Sequence, residues 1–393
     1  MESSAQSLGP STWILTLPGQ APVEIWGLST TERLRRAAQA AGVPLRNIGV
    51  GPADAAMTCP RSVVIFRSDY VFDERIVRGM LAATNTILKP TDGAAGAEGC
   101  VAAHVEARLI PVALRLLGEG GRNGAGDASG LRFVGPSDVA GAWAPKLRRV
   151  DPPYLLPARP ERVNSIERKV FDASYKGVTD FVTKWVWPAP ARWVTHRLAR
   201  WGVRPNAVTS VSWVLVFLTG FLFWQGWFGL GLLFGWIMTF LDTVDGKLAR
   251  VTLTSSKAGD VFDHGLDLVH PPFWYLAWSA GLASSTLWSP ALLVTLGGYV
   301  AGRAIEGLFI AACKTDIHTW RPADSYFRAV TARRNPNLVL LTAATVVGRP
   351  DLGLVAVATW TVISIAFHTV RLTQAVFERI RGRAVVSWLS GLP

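Results

Sequence analysis

Asp242-Thr-Val-Asp-Gly-Lys-Leu-Ala-Arg250, continuing to Gly259-Asp-Val-Phe-Asp-His-Gly-Leu-Asp267, is the stretch whose reading decides the fold. It lies inside two long apolar segments, 227–251 and 257–284, where acids are costly and pair, face a cavity or perform chemistry. Asp242 and Asp245 are three apart and share a helix face, which Gly246 and Ala249 extend with small residues. Arg250 closes that helix. On the next segment Gly259, Asp263 and Asp267 recur every four residues and share a face. The short polar stretch 251–258 turns the chain so that the two acidic faces meet. Four converging carboxylates repel one another unless a cation intervenes. Oxygen ligands suit Mg2+ or Mn2+ and not zinc, and two ions roughly 4 Å apart fit four carboxylates. His264 and His270 flank the acids and are read as non-ligands, and Asp260 grazes the same face.

The apolar pattern continues outward. About six segments approach the ~20 residues of a bilayer span, at roughly 206–224, 227–251, 257–284, 290–312, 333–348 and 352–373. The connections 224–228, 284–290 and 348–352 are poor in basic residues, Arg349 excepted. The opposite side carries Arg250, Lys257, Lys314, Arg321, Arg328, Arg333 and Arg334, and then Arg379, Arg381 and Arg383. The positive-inside rule places both termini and the basic loops in the cytoplasm, in the cell (inner) membrane. Ahead of the first span, Trp185–Trp201 mixes four Trp with Arg192, Arg197 and Arg200, which suits a helix lying in the interface.

Composition agrees. Of 393 residues half are hydrophobic and 17% charged, below the roughly 25% of globular chains. With 40 Lys and Arg against 28 Asp and Glu the net charge is +12, which points to a membrane surface or a phosphorylated substrate. No nucleic-acid motif is present, and the composition excludes a disordered chain. Cys59, Cys100 and Cys313 are distant and odd in number, so no disulfide framework or CxxC metal pair follows. No secretory signal pattern opens the sequence.

Residues 1–150 differ. Short apolar runs at Thr12–Leu17 and Ser62–Phe66 read as strands, and Thr31–Ala41 and Glu74–Ala83 as helices, with Gly, Pro and Ala-rich turns between. This alternation indicates a soluble α/β domain. The Pro-rich stretch within 151–164 reads as a linker, and 165–385 as the membrane domain. The expected architecture is therefore an α-helical integral membrane bundle of about six transmembrane helices preceded by a soluble α/β domain.

The pattern D-x2-D-G-x2-A-R-x8-G-x3-D-x3-D resembles the signature of the CDP-alcohol phosphotransferase (CDP-alcohol phosphatidyltransferase) family at every fixed position: Asp242, Asp245, Gly246, Ala249, Arg250, Gly259, Asp263 and Asp267. Pro205-Asn206-Ala-Val-Thr209 is similar to that family's P-N-x-x-T before its first span. The resemblance implies transfer of a phospho-alcohol group from a CDP-alcohol to an acceptor hydroxyl, releasing CMP and forming a phosphodiester. By the same resemblance Asp242, Asp245, Asp263 and Asp267 bind the Mg2+ or Mn2+ ions, and Asp267 is also the catalytic base. Gly246, Ala249, Arg250 and Gly259 shape the CDP pocket, with Ser256, Asn206 and Thr209 adding polar contacts. The donor is CDP-diacylglycerol or a CDP-linked polyol, the active site is cytoplasmic and the enzyme a homodimer. Arg303, Arg328, Arg333 and Arg334 are candidate acceptor-binding residues for a phosphorylated hydroxyl compound; positive-inside topology and an Arg303–Glu306 pair are the plainer accounts. Residues 1–150 resemble a sugar-phosphate nucleotidyltransferase through Glu32–Gly42 and Val63–Asp69. Trp26-Gly-Leu-Ser-Thr-Thr replaces its Gly-rich phosphate loop, so the domain reads as degenerate. A cation transporter, or an inactive membrane anchor for the front domain, are the alternatives.

Overall fold

A computed structural model of the protein describes residues 11–16, 23–52, 61–90, 99–118, 130–282 and 289–392. Leu17, Cys59, the His264 side chain and most of the 284–290 connection lie outside the described residues. The chain divides into two compact units: Met1–Ala144 with Asp151–Ala173 and Val251–Leu253, and Pro145–Val150 with Ser174–Arg250 and Thr254–Pro393.

The first unit is built on a six-stranded sheet. Its strands are β1 (Ser11–Leu15), β2 (Ile48–Gly51), β3 (Ser62–Arg67), β5 (Thr86–Leu88), β6 (Ala102–Glu106) and β7 (Arg132–Val134), in the order β2-β1-β3-β6-β5-β7. β1 runs parallel to β2 and β3, while β6 is antiparallel to β3 and β5. Alternation along β3 explains the layers: Val64 and Phe66 join one buried core with Leu34 and Ile76, and Val63 and Ile65 join another with Ile110 and Leu117. Helices α1 (Thr30–Ala40) and α2 (Glu74–Ala82) cover the first face and α3 (Ile110–Gly118) the second. The Ser29 hydroxyl accepts from Glu32 N and so caps α1. The stretch after 150 also carries structure, for Leu155–Pro157 (β8) pairs antiparallel with Tyr70–Phe72 (β4) and precedes α4 (Val163–Ala173).

The second unit is helical. After α5 (Pro188–Arg200) come α6 (Pro205–Trp224), α7 (Phe228–Val251), α8 (Lys257–Gly281), α9 (Pro290–Cys313), the short α10 (Pro322–Arg328), α11 (Arg334–Val346) and α12 (Pro350–Ile380). Four of these, α6, α7, α9 and α12, are long and apolar enough to cross a membrane. α8 matches them in length but carries Asp260, Asp263 and Asp267, and α11 has 13 residues. α6 and α8 pack tightly because Gly220 and Gly281 have no side chain: a Cβ at either would collide with Phe273 or with the Phe223 carbonyl. On α5, Ala191, Thr195 and Ala199 are buried on one face, while Trp193 is exposed at 62% and the neighbouring Trp201 at 70%.

α8 contains two prolines, Pro271 and Pro272. Neither has an N–H, so the carbonyls four residues earlier, of Asp267 and Leu268, lose their helical donor. The Tyr299 hydroxyl of α9 lies 3.3 Å and 3.0 Å from these two carbonyls and offers its single O–H to them in place of one of the missing N–H groups. The backbone of Asp267 is therefore held from a neighbouring helix.

Candidate active site

The acids reach one place from two helices. Asp242 and Asp245 lie on α7, Asp263 and Asp267 on α8. Asp242 lies close enough to Asp245, Asp263 and Asp267 for their charges to interact. Arg334, at the start of α11, joins Asp242 to Asp267: its guanidinium lies 2.5 Å from Asp242 Oδ2 and 3.0 Å from Asp267 Oδ1. Asp245 Oδ2 accepts from the Thr209 hydroxyl at 2.6 Å. The hairpin between α7 and α8 is closed by Ser256, whose hydroxyl accepts from Gly259 N at 3.0 Å and caps α8.

Three carboxylate oxygens, Asp242 Oδ1, Asp245 Oδ1 and Asp263 Oδ1, are buried with no hydrogen-bond partner among the described residues. Buried anionic oxygens without donors are a strong sign of a missing cation. All three are hard oxygen donors, which fits Mg2+ or Mn2+. The side chains as they stand do not form a finished cage: among the described residues no group of three or more His, Cys, Asp or Glu is gathered closely enough to hold a metal ion. Arg334 is the reason at two of the four acids, since it takes up Asp242 and Asp267 itself.

A cavity of about 460 Å3 opens beside the acids. Of the residues expected from sequence, it is lined by Asp242, Gly246, Arg250, Asp263, Asp267, Arg303, Arg328, Arg333 and Arg334. Asp245, Ala249, Asn206, Thr209, Ser256 and Gly259 do not line it. Asn206 and Ser256 instead meet at Gly259, where a Cβ would lie 3.2 Å from Asn206 Oδ1 and 3.1 Å from the Ser256 hydroxyl. A Cβ at Gly246 would make only ordinary contact with the Arg250 guanidinium at 3.6 Å. Packing within the protein therefore does not demand glycine there.

Among the residues that sequence reading missed, Arg148, Lys176, Asp180 and Lys247 line the same cavity. Lys247 stands inside the motif itself, which was the available signal. Its ammonium donates to the Ser174 carbonyl at 3.2 Å and lies over the Tyr175 ring, while Arg250 reaches the same carbonyl at 3.3 Å. Lys176 and Arg148 come from segments with no motif. Burial, together with Arg250 and Arg148 close by, pushes the Lys176 ammonium down to about 8. Arg148 pairs with Asp316 at 2.5 Å. Burial and neighbouring Arg333 likewise push Arg328 down to about 9, and its Nε and Nη1 have no acceptor among the described residues. Burial disfavours the Asp180 charge, but Arg328 and hydrogen bonds from Thr183 and Asn335 hold its carboxyl below the usual range. Glu306 gathers Arg333 at 2.5 Å, His318 at 3.3 Å and Arg303 at 3.6 Å. The cavity thus has the motif acids at one wall and, around the rest, basic residues in excess over Asp180, Glu306 and Asp316, which suits a polyanion accompanied by a divalent ion.

Residues 202–323 match the CDP-alcohol phosphatidyltransferase family. Cholinephosphotransferase 1 of Gallus gallus is 31% identical over 136 residues, 31% of this chain and 38% of that protein. The Danio rerio protein of the same name is 37% identical over 92 residues, covering 21% of this chain and 24% of its own length. Archaetidylinositol phosphate synthase of Pyrococcus horikoshii is 24% identical over 175 residues, 44% of this chain and 85% of that protein. The chain spans less than half the length of the cholinephosphotransferases it matches. The apolar helices and these relatives make the chain an integral membrane protein.

Proposed function

We propose, from the match of residues 202–323 to the CDP-alcohol phosphatidyltransferase family, that the chain transfers a phospho-alcohol group from a CDP-alcohol to an acceptor hydroxyl in phospholipid synthesis, releasing CMP. The observation that carries the proposal is the set of three partnerless buried carboxylate oxygens, two from α7 and one from α8, near a cavity lined mainly by basic residues. Asp242, Asp245, Asp263 and Asp267 would hold one or two Mg2+ or Mn2+ ions. When bound, such ions neutralise the pyrophosphate and stabilise departing CMP.

The rest is done by the chain's own side chains. Arg250, Lys247 and Lys176 surround the space beside Gly246 and receive the donor phosphates. Thr209 holds Asp245 in one orientation. Tyr299 holds the α8 backbone at Asp267. The Asp267 side chain is half exposed, so one carboxylate oxygen remains open to solvent while the other meets Arg334. It accepts the proton of the attacking hydroxyl as the new O–P bond forms and the bond to CMP breaks. Arg303, Arg328 and Arg333 provide positive charge where an acceptor phosphate would lie.

We also propose six membrane spans, with α8 and α11 completing the four apolar ones, both termini in the cytoplasm, and a homodimer. The first unit is read as a nucleotidyltransferase-like domain without transfer activity. Arg67 supports that reading, since it forks onto both oxygens of Asp69 at 2.9 Å and 2.6 Å and neutralises the strand-end acid a metal would need.

The test is CMP release by the full-length protein with Mg2+ or Mn2+, CDP-diacylglycerol, CDP-choline and CDP-linked polyols as donors, and polyol phosphates and diacylglycerol as acceptors. The expected result is metal-dependent CMP release with at least one pair, reduced at least 100-fold by Asp267→Asn. Release that persists in Asp267→Asn, or none across the panel, would reject the assignment.

A further inference from the structure

The segment that follows α12 folds back onto the second unit. α12 ends at Ile380, and Gly382, with φ at +73°, reverses the chain in the left-handed region that glycine enters freely. Val385 and Leu389 are then each buried, and Val385 joins an apolar cluster with Phe309, Ile317, Trp320 and Ala375. Two polar ties add to this burial. The Thr315 hydroxyl donates to the Val385 carbonyl at 3.1 Å, and Trp388 Nε1 donates to the Ser325 hydroxyl at 3.0 Å.

What this segment grips is the back of one cavity wall. Asp316, Ile317 and His318 line the cavity of about 460 Å3, and so does Arg148. Ser325 donates in turn to the His318 carbonyl at 2.8 Å, and His318 N donates to Asp316 Oδ1 at 2.8 Å. Asp316 pairs through its other oxygen with Arg148. A line of hydrogen bonds therefore runs from Trp388 to a guanidinium in the cavity wall. The turn Trp388–Gly391 also lies beside Arg149–Val150, so the segment reaches both ends of the Arg148–Asp316 pair. Arg148 itself needs holding. Its φ is +48°, a conformation that residues with a side chain rarely adopt and that persists only where the surroundings impose it. The same stretch supports Lys176: Gly177 N donates to the Leu147 carbonyl at 2.8 Å, and a Cβ at Gly177 would lie 2.6 Å from the Arg148 carbonyl. Arg148 is close enough to Lys176 for the two charges to interact. Neither Arg148 nor Trp388 falls within residues 202–323, the stretch matched to the family.

We propose that the segment after α12 is a positioning element of the substrate cavity: Trp388, acting through Ser325, His318 and Asp316, aims the Arg148 guanidinium at the donor's diphosphate. The inference rests on the phosphotransfer reading above and deepens it, adding Arg148 to the residues that bind the donor and Trp388 as the residue that positions it. Arg148 stands beside Lys176, one of the cations that receive the donor phosphates, and a forked guanidinium held at one end by Asp316 presents its remaining N–H groups in a fixed direction. Trp388 touches no substrate; its indole N–H and its packing keep the loop 315–318 and the strained Arg148 in register.

A double-mutant cycle on the full-length protein in lipid nanodiscs tests this without turnover. The probe is cytidine diphosphate with Mn2+, and Mn2+ affinity in the absence of nucleotide is measured separately. Arg148→Gln and Trp388→Ala should each weaken cytidine diphosphate binding about tenfold, and Trp388→Phe, which keeps a ring and loses only the N–H donor, about threefold. Mn2+ affinity should stay within about twofold throughout, a split that general structural damage would not give. In the Arg148→Gln background either Trp388 change should add less than about twofold, because residues that act in series are not additive. If Trp388→Ala also loses Mn2+, the cycle made with Trp388→Phe decides. Nucleotide affinity that ignores Trp388→Phe, or losses that multiply in the double variant, would overturn the inference and leave the phosphotransfer reading in place. Failure of the wild-type protein to bind cytidine diphosphate would instead remove that reading, and this inference with it.

Discussion

Arg334 shows how single side chains set the state of this site. It touches acids of both α7 and α8, Asp242 and Asp267. Removing one partner of a buried ion pair costs ~3–5 kcal/mol, because the other charge is left uncompensated. Arg334→Ala should therefore lower the melting temperature of the metal-free protein, and Mn2+ should raise it by more than in wild type. An equal Mn2+ shift in both proteins would show that Arg334 and the metal do not share ligands. Lys176 gives a pH signature. Its proton is held only up to about pH 8, and Arg250, Arg148, Arg328 and Asp267 are the charges around it. The folded value lies below the ordinary lysine value, so affinity for an anion that needs the ammonium is full below pH 8. It falls as pH rises through 8, by up to about tenfold per unit. CMP affinity measured from pH 7 to 9.5 should fall in wild type and be flatter in Lys176→Met.

The four motif acids were legible in sequence because charges inside apolar runs are conspicuous, and their spacing of three and four puts them on common faces. Lys176, Arg148 and Asn335 were not. Each sits in polar surroundings where a charge or an amide is ordinary, and only chain folding over long separations brings it to the cavity. Motif membership also did not reveal duty. Thr209 turned out to hold Asp245, and Ser256 to cap α8.

At the level of the helices, the six apolar runs read from sequence coincide closely with α6, α7, α8, α9, α11 and α12, because period and length are local properties. Partner choice between helices is not local. Nothing in the sequence told that Tyr299 would supply a donor beside the two prolines of α8. Tyr299→Phe removes that single donor from the two carbonyls, a loss of ~1–3 kcal/mol. It should lower the melting temperature and also kcat, since the freed backbone carries Asp267; a change in stability with unaltered kcat would separate the two effects. Gly281→Ala forces a methyl onto the Phe223 carbonyl and should disrupt the α6–α8 contact, read as loss of monodisperse folded protein in detergent.

For the whole molecule, the strand-and-helix alternation of the first unit was visible as an α/β pattern, and its six-stranded sheet follows from it. The strand pairing of Leu155–Pro157 was hidden, because Pro-rich composition reads as linker while an edge position tolerates proline. With Asp69 neutralised by Arg67, the full chain given CTP and sugar phosphates should release no pyrophosphate, and Asp69→Ala should change nothing. The central claim concerns the second unit: carboxylates of two helices jointly hold a divalent ion that a cytidine nucleotide recognises. Electron paramagnetic resonance of Mn2+ titrated into the detergent-solubilised protein, with and without CMP, measures that claim directly. The account predicts bound Mn2+ in wild type, tightened by CMP, and binding weakened at least tenfold by Asp245→Asn on α7 and equally by Asp263→Asn on α8. Mn2+ binding that ignores either substitution would contradict it.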